Sequence, residues 1–138
     1  MKKSLFLDTN VVLDIVLERP DFVKEARVLL LMSDHNNVEL YTSALTIVTC
    51  AYFAKKFGRN PVTTVKSLLK WFSLIDLRKE HFELAVFSKF KDFEDGLQFF
   101  AAKELKMIDY IITRDISDFK VSTIPVLSPK DFLLKFHK

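Results

Sequence analysis

Short apolar segments alternating with helical patterns predict an α/β fold, a three-layer α/β/α sandwich around a central parallel sheet. Three observations carry this reading. Apolar runs of strand length stand at residues 4–7, 38–42, 72–77, 110–113 and 125–127. The stretches between them place apolar residues at helical spacing. The chain has 138 residues, 49% of them hydrophobic, which suits one core and a single domain over 1–138.

The first run ends at Asp8 and reads as a buried strand. Val11, Val12, Ile15 and Val16 then recur at helical spacing, and Arg19-Pro20 closes that helix. Asp21 is the expected cap of the next helix, with Ala26, Leu29, Leu30 and Met32 on its apolar face and Asn36-Asn37 at its end. Ser43 caps a helix to Lys56, stopped at Phe57-Gly58. Asn60-Pro61 opens another, to about Trp71. Residues 79–90 are amphipathic, and Asp92 opens a helix through Lys106. Ser128-Pro129-Lys130-Asp131 is the capping signature of the last helix.

Composition narrows the function. Two glycines cannot supply a dinucleotide fingerprint, and one cysteine supplies neither a disulfide nor a multi-cysteine zinc site. His35, His81 and His137 show no ligand spacing. No apolar run approaches a membrane span, and the N-terminal apolar run is too short for a signal peptide. A cytoplasmic location is the default expectation. The net charge of +3 permits nucleic acid as a partner without arguing for it. Most of the 14 phenylalanines should be core, with some left for a subunit interface.

The acids stand in informative places. In a parallel sheet, ligands bind beyond the carboxyl ends of the strands. Asp8 follows the first strand, and Asp115 and Asp118 follow the fourth. Asp95 lies in the first turn of the helix that leads into the fourth strand, so the same edge should be within its reach. Carboxylates gathered without basic neighbours repel one another, and a hard divalent cation neutralises such a cluster. Each acid has a plainer role open to it: Asp8 as a helix cap shared with Thr9, Asp92 and Asp95 as a cap and a first-turn acid, Asp115 and Asp118 as loop acids.

In order along the chain, Phe6-Leu7-Asp8-Thr9-Asn10-Val11, Asp92-Phe93-Glu94-Asp95-Gly96-Leu97-Gln98, Ile111-Ile112-Thr113-Arg114-Asp115-Ile116-Ser117-Asp118-Phe119 and the ending Ile124-Pro125-Val126-Leu127-Ser128-Pro129 resemble a PIN domain. The resemblance implies a PIN-like sandwich and a Mg²⁺- or Mn²⁺-dependent ribonuclease, similar to the toxins of VapBC-type toxin–antitoxin pairs. It implies Asp8, Asp95, Asp115 and Asp118 as metal ligands and catalytic acids. Asn10 and Thr113 would orient them, and Arg114 would contact phosphate. RNA, an antitoxin protein and a second copy of the chain are the implied partners.

One departure stands out. The family usually carries a Glu in the helix after the second strand, where Thr49 stands here. No acid occurs between Thr42 and Trp71. Glu94 is a poor substitute on this reading, because adjacent helical residues do not share a direction. A PIN-like module that binds RNA or protein without turnover is therefore an alternative. A haloacid-dehalogenase-like phosphatase is a weaker one, since it needs an Asp where Asn10 stands. Lys55, Lys56, Arg59, Lys66 and Lys70 would guide RNA, or simply form a solvated face. Cys50 reads as a small buried hydrophobe, Trp71 as a packing residue, and Phe99-Phe100-Ala101 as helix core.

Overall fold

The computed structural model describes residues 2–137. Strands β1 (Lys3–Leu7), β2 (Val38–Ser43), β3 (Phe72–Ile75), β4 (Tyr110–Ile112) and β5 (Val126–Leu127) form one parallel sheet in the order β3-β2-β1-β4-β5. The helices are α1 (Thr9–Val16), α2 (Val23–Asp34), α3 (Ala44–Lys56), α4 (Pro61–Trp71), α5 (Lys79–Val86), α6 (Phe93–Glu104) and α7 (Pro129–Phe136). None among the described residues is long and apolar enough to cross a membrane.

Side-chain alternation along β1 divides the core. Leu5 and Leu7 pack with Val12, Leu29, Cys50, Leu68 and Phe132, drawn from the helices on one face. Phe6 packs with Tyr41, Phe99, Ile111 and Phe119 on the face that α6 covers. Both faces are therefore dry, which is why the strands read as unbroken apolar runs. Phe132 is fully buried, with its ring 4.8 Å from that of Phe136 and 6.0 Å from that of Tyr110. Phe132→Leu is expected to lower the unfolding free energy by about 1–2 kcal/mol, read from a denaturant titration.

The strand order reverses at β1. The chain moves from β1 to β2 and β3 on one side, then returns to place β4 and β5 on the other. A crevice opens where two neighbouring strands lead their connections to opposite sides. Leu7 pairs with Ile112, so Asp8 and Thr113 leave the sheet side by side, and the Asp8 N–H donates to the Ile112 carbonyl at 2.9 Å.

Several boundaries differ from the sequence reading. Strand β3 stops at Ile75 because its one neighbour, β2, stops at Ser43, the residue paired with Ile75. Helix α5 ends at Val86. The Ser88 hydroxyl donates back to the Ala85 carbonyl and accepts from the Phe90 N–H, turning the chain. Phe90 then enters the core against Phe99 and Phe119. Asp21 does not cap α2; Phe22 holds that position with no side-chain cap bond. Residues 116–119, expected as loop, form a 3₁₀ turn that buries Phe119. Gly58 ends α3 with φ +79, a conformation that side chains with a Cβ rarely adopt.

Candidate active site

Asp8 caps α1 and is only 3% exposed. Its Oδ1 accepts from the Thr9 N–H at 2.7 Å and from Gln98 Nε2 at 3.0 Å. Its Oδ2 accepts from the Thr113 hydroxyl at 2.8 Å. These donors favour the charged carboxylate, yet burial outweighs them and holds its pKa above the ordinary value. Asp115 adds a repulsive charge in the same direction.

The other strand end is fixed from α1. Asn10 Nδ2 donates to Asp115 Oδ2 at 2.7 Å, and the Asp115 N–H donates to the Thr113 hydroxyl at 3.0 Å. Thr113 thus ties Asp8 to Asp115. Asp118 lies on the following 3₁₀ turn. Across the crevice, Asp92 caps α6 by accepting from the Asp95 N–H at 3.0 Å. Asp95 is partly buried in the first turn. Burial first, then the charges of Asp8, Asp92, Asp118 and Glu94, push its carboxyl up to about 8. The acids singled out in the sequence therefore gather at the switch point, close enough to feel one another's charge.

A hydroxyl and amide network closes the remaining side. The Thr9 hydroxyl lies 2.8 Å from that of Thr46, 3.2 Å from Glu94 Oε1 and 3.4 Å from Gln98 Oε1. Thr46 also reaches the Ser43 hydroxyl and Gln98 Oε1. On α3, then, Thr46 meets the site. Thr49, one turn further on, is half-buried and stands outside these bonds. The sequence pattern singles out neither Thr46 nor Gln98. The usable signal was spacing: Gln98 lies four residues after Glu94, on the same helix face. Glu94 itself, set aside on directional grounds, shares the crevice with Asp95. The first turn of α6 straddles the opening, with the two acids on its two flanks.

Arg114 is engaged elsewhere. Its Nε donates to Asp14 Oδ2 at 2.8 Å and its Nη2 to Asp14 Oδ1 at 3.2 Å, while its guanidinium lies 3.7 Å from the Phe22 ring centre. Asp14 is 1% exposed and also accepts from Arg19. Arg114 is thus held in a part-buried ion pair that anchors the chain next to Asp115. Arg114→Gln leaves Asp14 with Arg19 as its only cation and is expected to cost about 1–2 kcal/mol of stability, read from the melting curve. Of the basic residues proposed as RNA guides, Arg59 pairs with Glu18 at 2.8 Å. Lys55 lies nine residues beyond Thr46 on α3, roughly 14 Å along the axis. Cys50 is buried, and its thiol is pushed up to about 12, which makes it inert.

A groove of about 500 Å³ lies away from the crevice, between α1, α2 and α4, lined by Ile15, Leu31 and Trp71 among others. As the acids stand, no three acidic side chains among the described residues converge on one ion position. The chemistry of the donor set still suits a hard cation. It is all oxygen, and the nearest guanidinium is spent on Asp14.

A parallel α/β sandwich with carboxylates gathered at its switch point defines a class of protein before any comparison is made. A sequence model of the PIN domain matches residues 4–117, and the chain belongs to that family. Among solved structures it is similar to a toxin–antitoxin complex from Klebsiella pneumoniae, at 25% identity and TM-score 0.66 over 91% of this chain and 97% of that one. VapBC2 of Rickettsia felis, bound to a DNA fragment from their promoter, aligns at 15% identity and TM-score 0.63, over 91% and 98%. VapC20 of Mycobacterium tuberculosis, a toxin that cleaves the sarcin–ricin loop, aligns at 15% and 0.63, over 84% and 95%. The latter two show likeness of fold alone. No curated protein sequence matches the chain.

Proposed function

We propose that this protein is a Mg²⁺- or Mn²⁺-dependent endoribonuclease, the toxin of a toxin–antitoxin pair. The observation that carries the reading is the gathering of acids around Asp95, where burial first and then the charges of Asp8, Asp92, Asp118 and Glu94 push its carboxyl up to about 8. A soluble fold gains nothing from such repulsion, whereas a divalent cation converts it into binding energy. Asp8, Asp95, Asp115 and Asp118 are the residues to hold the ion. When bound, a divalent ion supplies charge stabilisation to a phosphodiester undergoing attack by water.

The chain's own residues do the rest. Thr113 and Gln98 hold both oxygens of Asp8 in a fixed orientation. Asn10 does the same for Asp115. The Asp14–Arg114 pair anchors the loop that carries Asp115, and Asp92 fixes the start of α6 beneath Asp95. Exposed Val48 and Tyr52 on α3, Phe57 just after it and Val62 on α4 support a homodimer, which sedimentation at micromolar concentration should show as twice the chain mass.

The test is incubation of purified protein with mixed RNA in Mn²⁺, in Mg²⁺ and in chelator. Cleavage with metal and none with chelator is the expected result. RNA binding that persists without cleavage in every metal would favour the non-catalytic module instead, a reading that the acid-free α3 supports. Phosphate-directed binding should weaken steeply with added salt.

A further inference from the structure

We propose that Glu94 is a metal-holding residue and supplies the one carboxylate on the α3 side of the crevice. The proposal rests on the metal-dependent reading above and goes beyond it, because the sequence pattern assigns Glu94 no role.

The geometry of the α3 side carries the inference. Everything that faces the crevice there is neutral: the hydroxyls of Thr9, Ser43 and Thr46 and the amide of Gln98. No residue between Thr42 and Trp71 is acidic, so neither α3 nor α4 brings charge to it. Glu94 reaches in from α6 instead, with Oε1 3.2 Å from the Thr9 hydroxyl. Thr9 follows Asp8 directly, and its hydroxyl bonds to that of Thr46 at 2.8 Å. The Glu94 carboxylate therefore stands beside the N-terminus of α1 and the start of α3.

Its partner is weak. A hydroxyl shared among Thr46, Glu94 and Gln98 has a single proton to give, so Thr9 donates to one acceptor at a time. Among the described residues no cation lies within ion-pair distance of Glu94. A half-buried carboxylate with a part share of one hydroxyl is poorly compensated. A divalent ion held beside the Thr9 hydroxyl would compensate it. Gln98, four residues on, braces the same helix face by bonding Asp8, so the turn that carries Glu94 is held in place.

The experiment measures Mn²⁺ binding to the full chain without RNA, from the loss of the free-ion paramagnetic resonance signal. Glu94→Gln keeps an oxygen for Thr9 and removes the charge. It is expected to weaken Mn²⁺ binding at least about tenfold, with metal-free melting close to that of the unchanged protein. Glu94→Asp keeps the charge but draws it back by one methylene, and it too should weaken binding several-fold. Asp34→Asn, at the opposite edge of the sheet before β2, should leave affinity within about twofold. Wild-type affinity in Glu94→Gln, in a series where Asp95→Asn loses binding, overturns the assignment and leaves the metal reading intact. Wild-type affinity in Glu94→Ala, which removes the carboxylate outright, also overturns it. Absence of Mn²⁺ binding by the unchanged chain overturns both together. Should Glu94→Gln fail to fold, Glu94→Ala decides by the same readout.

Discussion

Asp8→Asn is expected to reduce metal-dependent RNA cleavage by about two to three orders of magnitude while leaving the fold at least as stable. The two halves of that expectation have separate physical causes. Both Asp8 oxygens accept from donors, Oδ1 from Thr9 and Gln98 and Oδ2 from Thr113. The amide of Asn has one acceptor oxygen, so its NH₂ must face Thr113 or Gln98, either of which can turn to offer an oxygen. The buried charge meanwhile disappears, and with it the desolvation that raises the carboxyl's pKa. A structural cap replaced by Asn loses little, since Asn caps helices as well as Asp does. Activity lost at unchanged melting temperature would separate a role at the reacting centre from a role in the fold. Cleavage at the unchanged rate would remove Asp8 from the site.

The sheet was legible because its strands are short, apolar on both faces and bounded by caps, a pattern that a parallel buried sheet alone explains. Asp8, Asp115 and Asp118 were legible for a related reason: a residue following a strand lies at the carboxyl edge whatever its side chain does. The network behind them was not. Thr46 and Gln98 are ordinary polar residues in helices, and only the meeting of α1, α3 and α6 gives them Thr9 and Asp8 as partners. The Glu94 contact was not legible either, because its partner, the Thr9 hydroxyl, comes from α1, eighty-five positions away. The ion pair of Arg114 was not legible because the sequence shows its neighbours Thr113 and Asp115 and cannot show Asp14, a hundred positions away and buried. Helix α5 ended early for a reason that lies outside it, the need to bring Phe90 into the core.

The metal-free protein should become less stable as pH rises from about 6 to 8.5, the reverse of what an ordinary set of paired carboxylates produces. Asp95 is raised from 3.8 to about 8 in the folded chain. Between those values the unfolded chain has released a proton that the folded chain still holds. The corresponding stability is full below about pH 4 and is lost as pH climbs through 8. Asp8, raised by burial, acts in the same direction. Glu104, lowered by His81 and Arg78, acts in the opposite direction, but its contribution is lost only on acidification below its ordinary 4.5, outside this window. Asp95→Asn should therefore flatten the dependence and stabilise the metal-free protein at pH 8 by on the order of 2 kcal/mol, a figure reduced from the full shift because the group is partly exposed. Mn²⁺ should bind up to about tenfold more tightly per pH unit between 6 and 8, since the ion competes with the proton on Asp95. Thermal melts across that range, with and without Mn²⁺, test both. If stability is flat with pH in the metal-free protein, neither burial nor the neighbouring acids raise the Asp95 carboxyl, and the uncompensated charge that argues for a cation is absent. A slope that Asp95→Asn removes would trace it to the part-buried, crowded carboxyl in the first turn of α6.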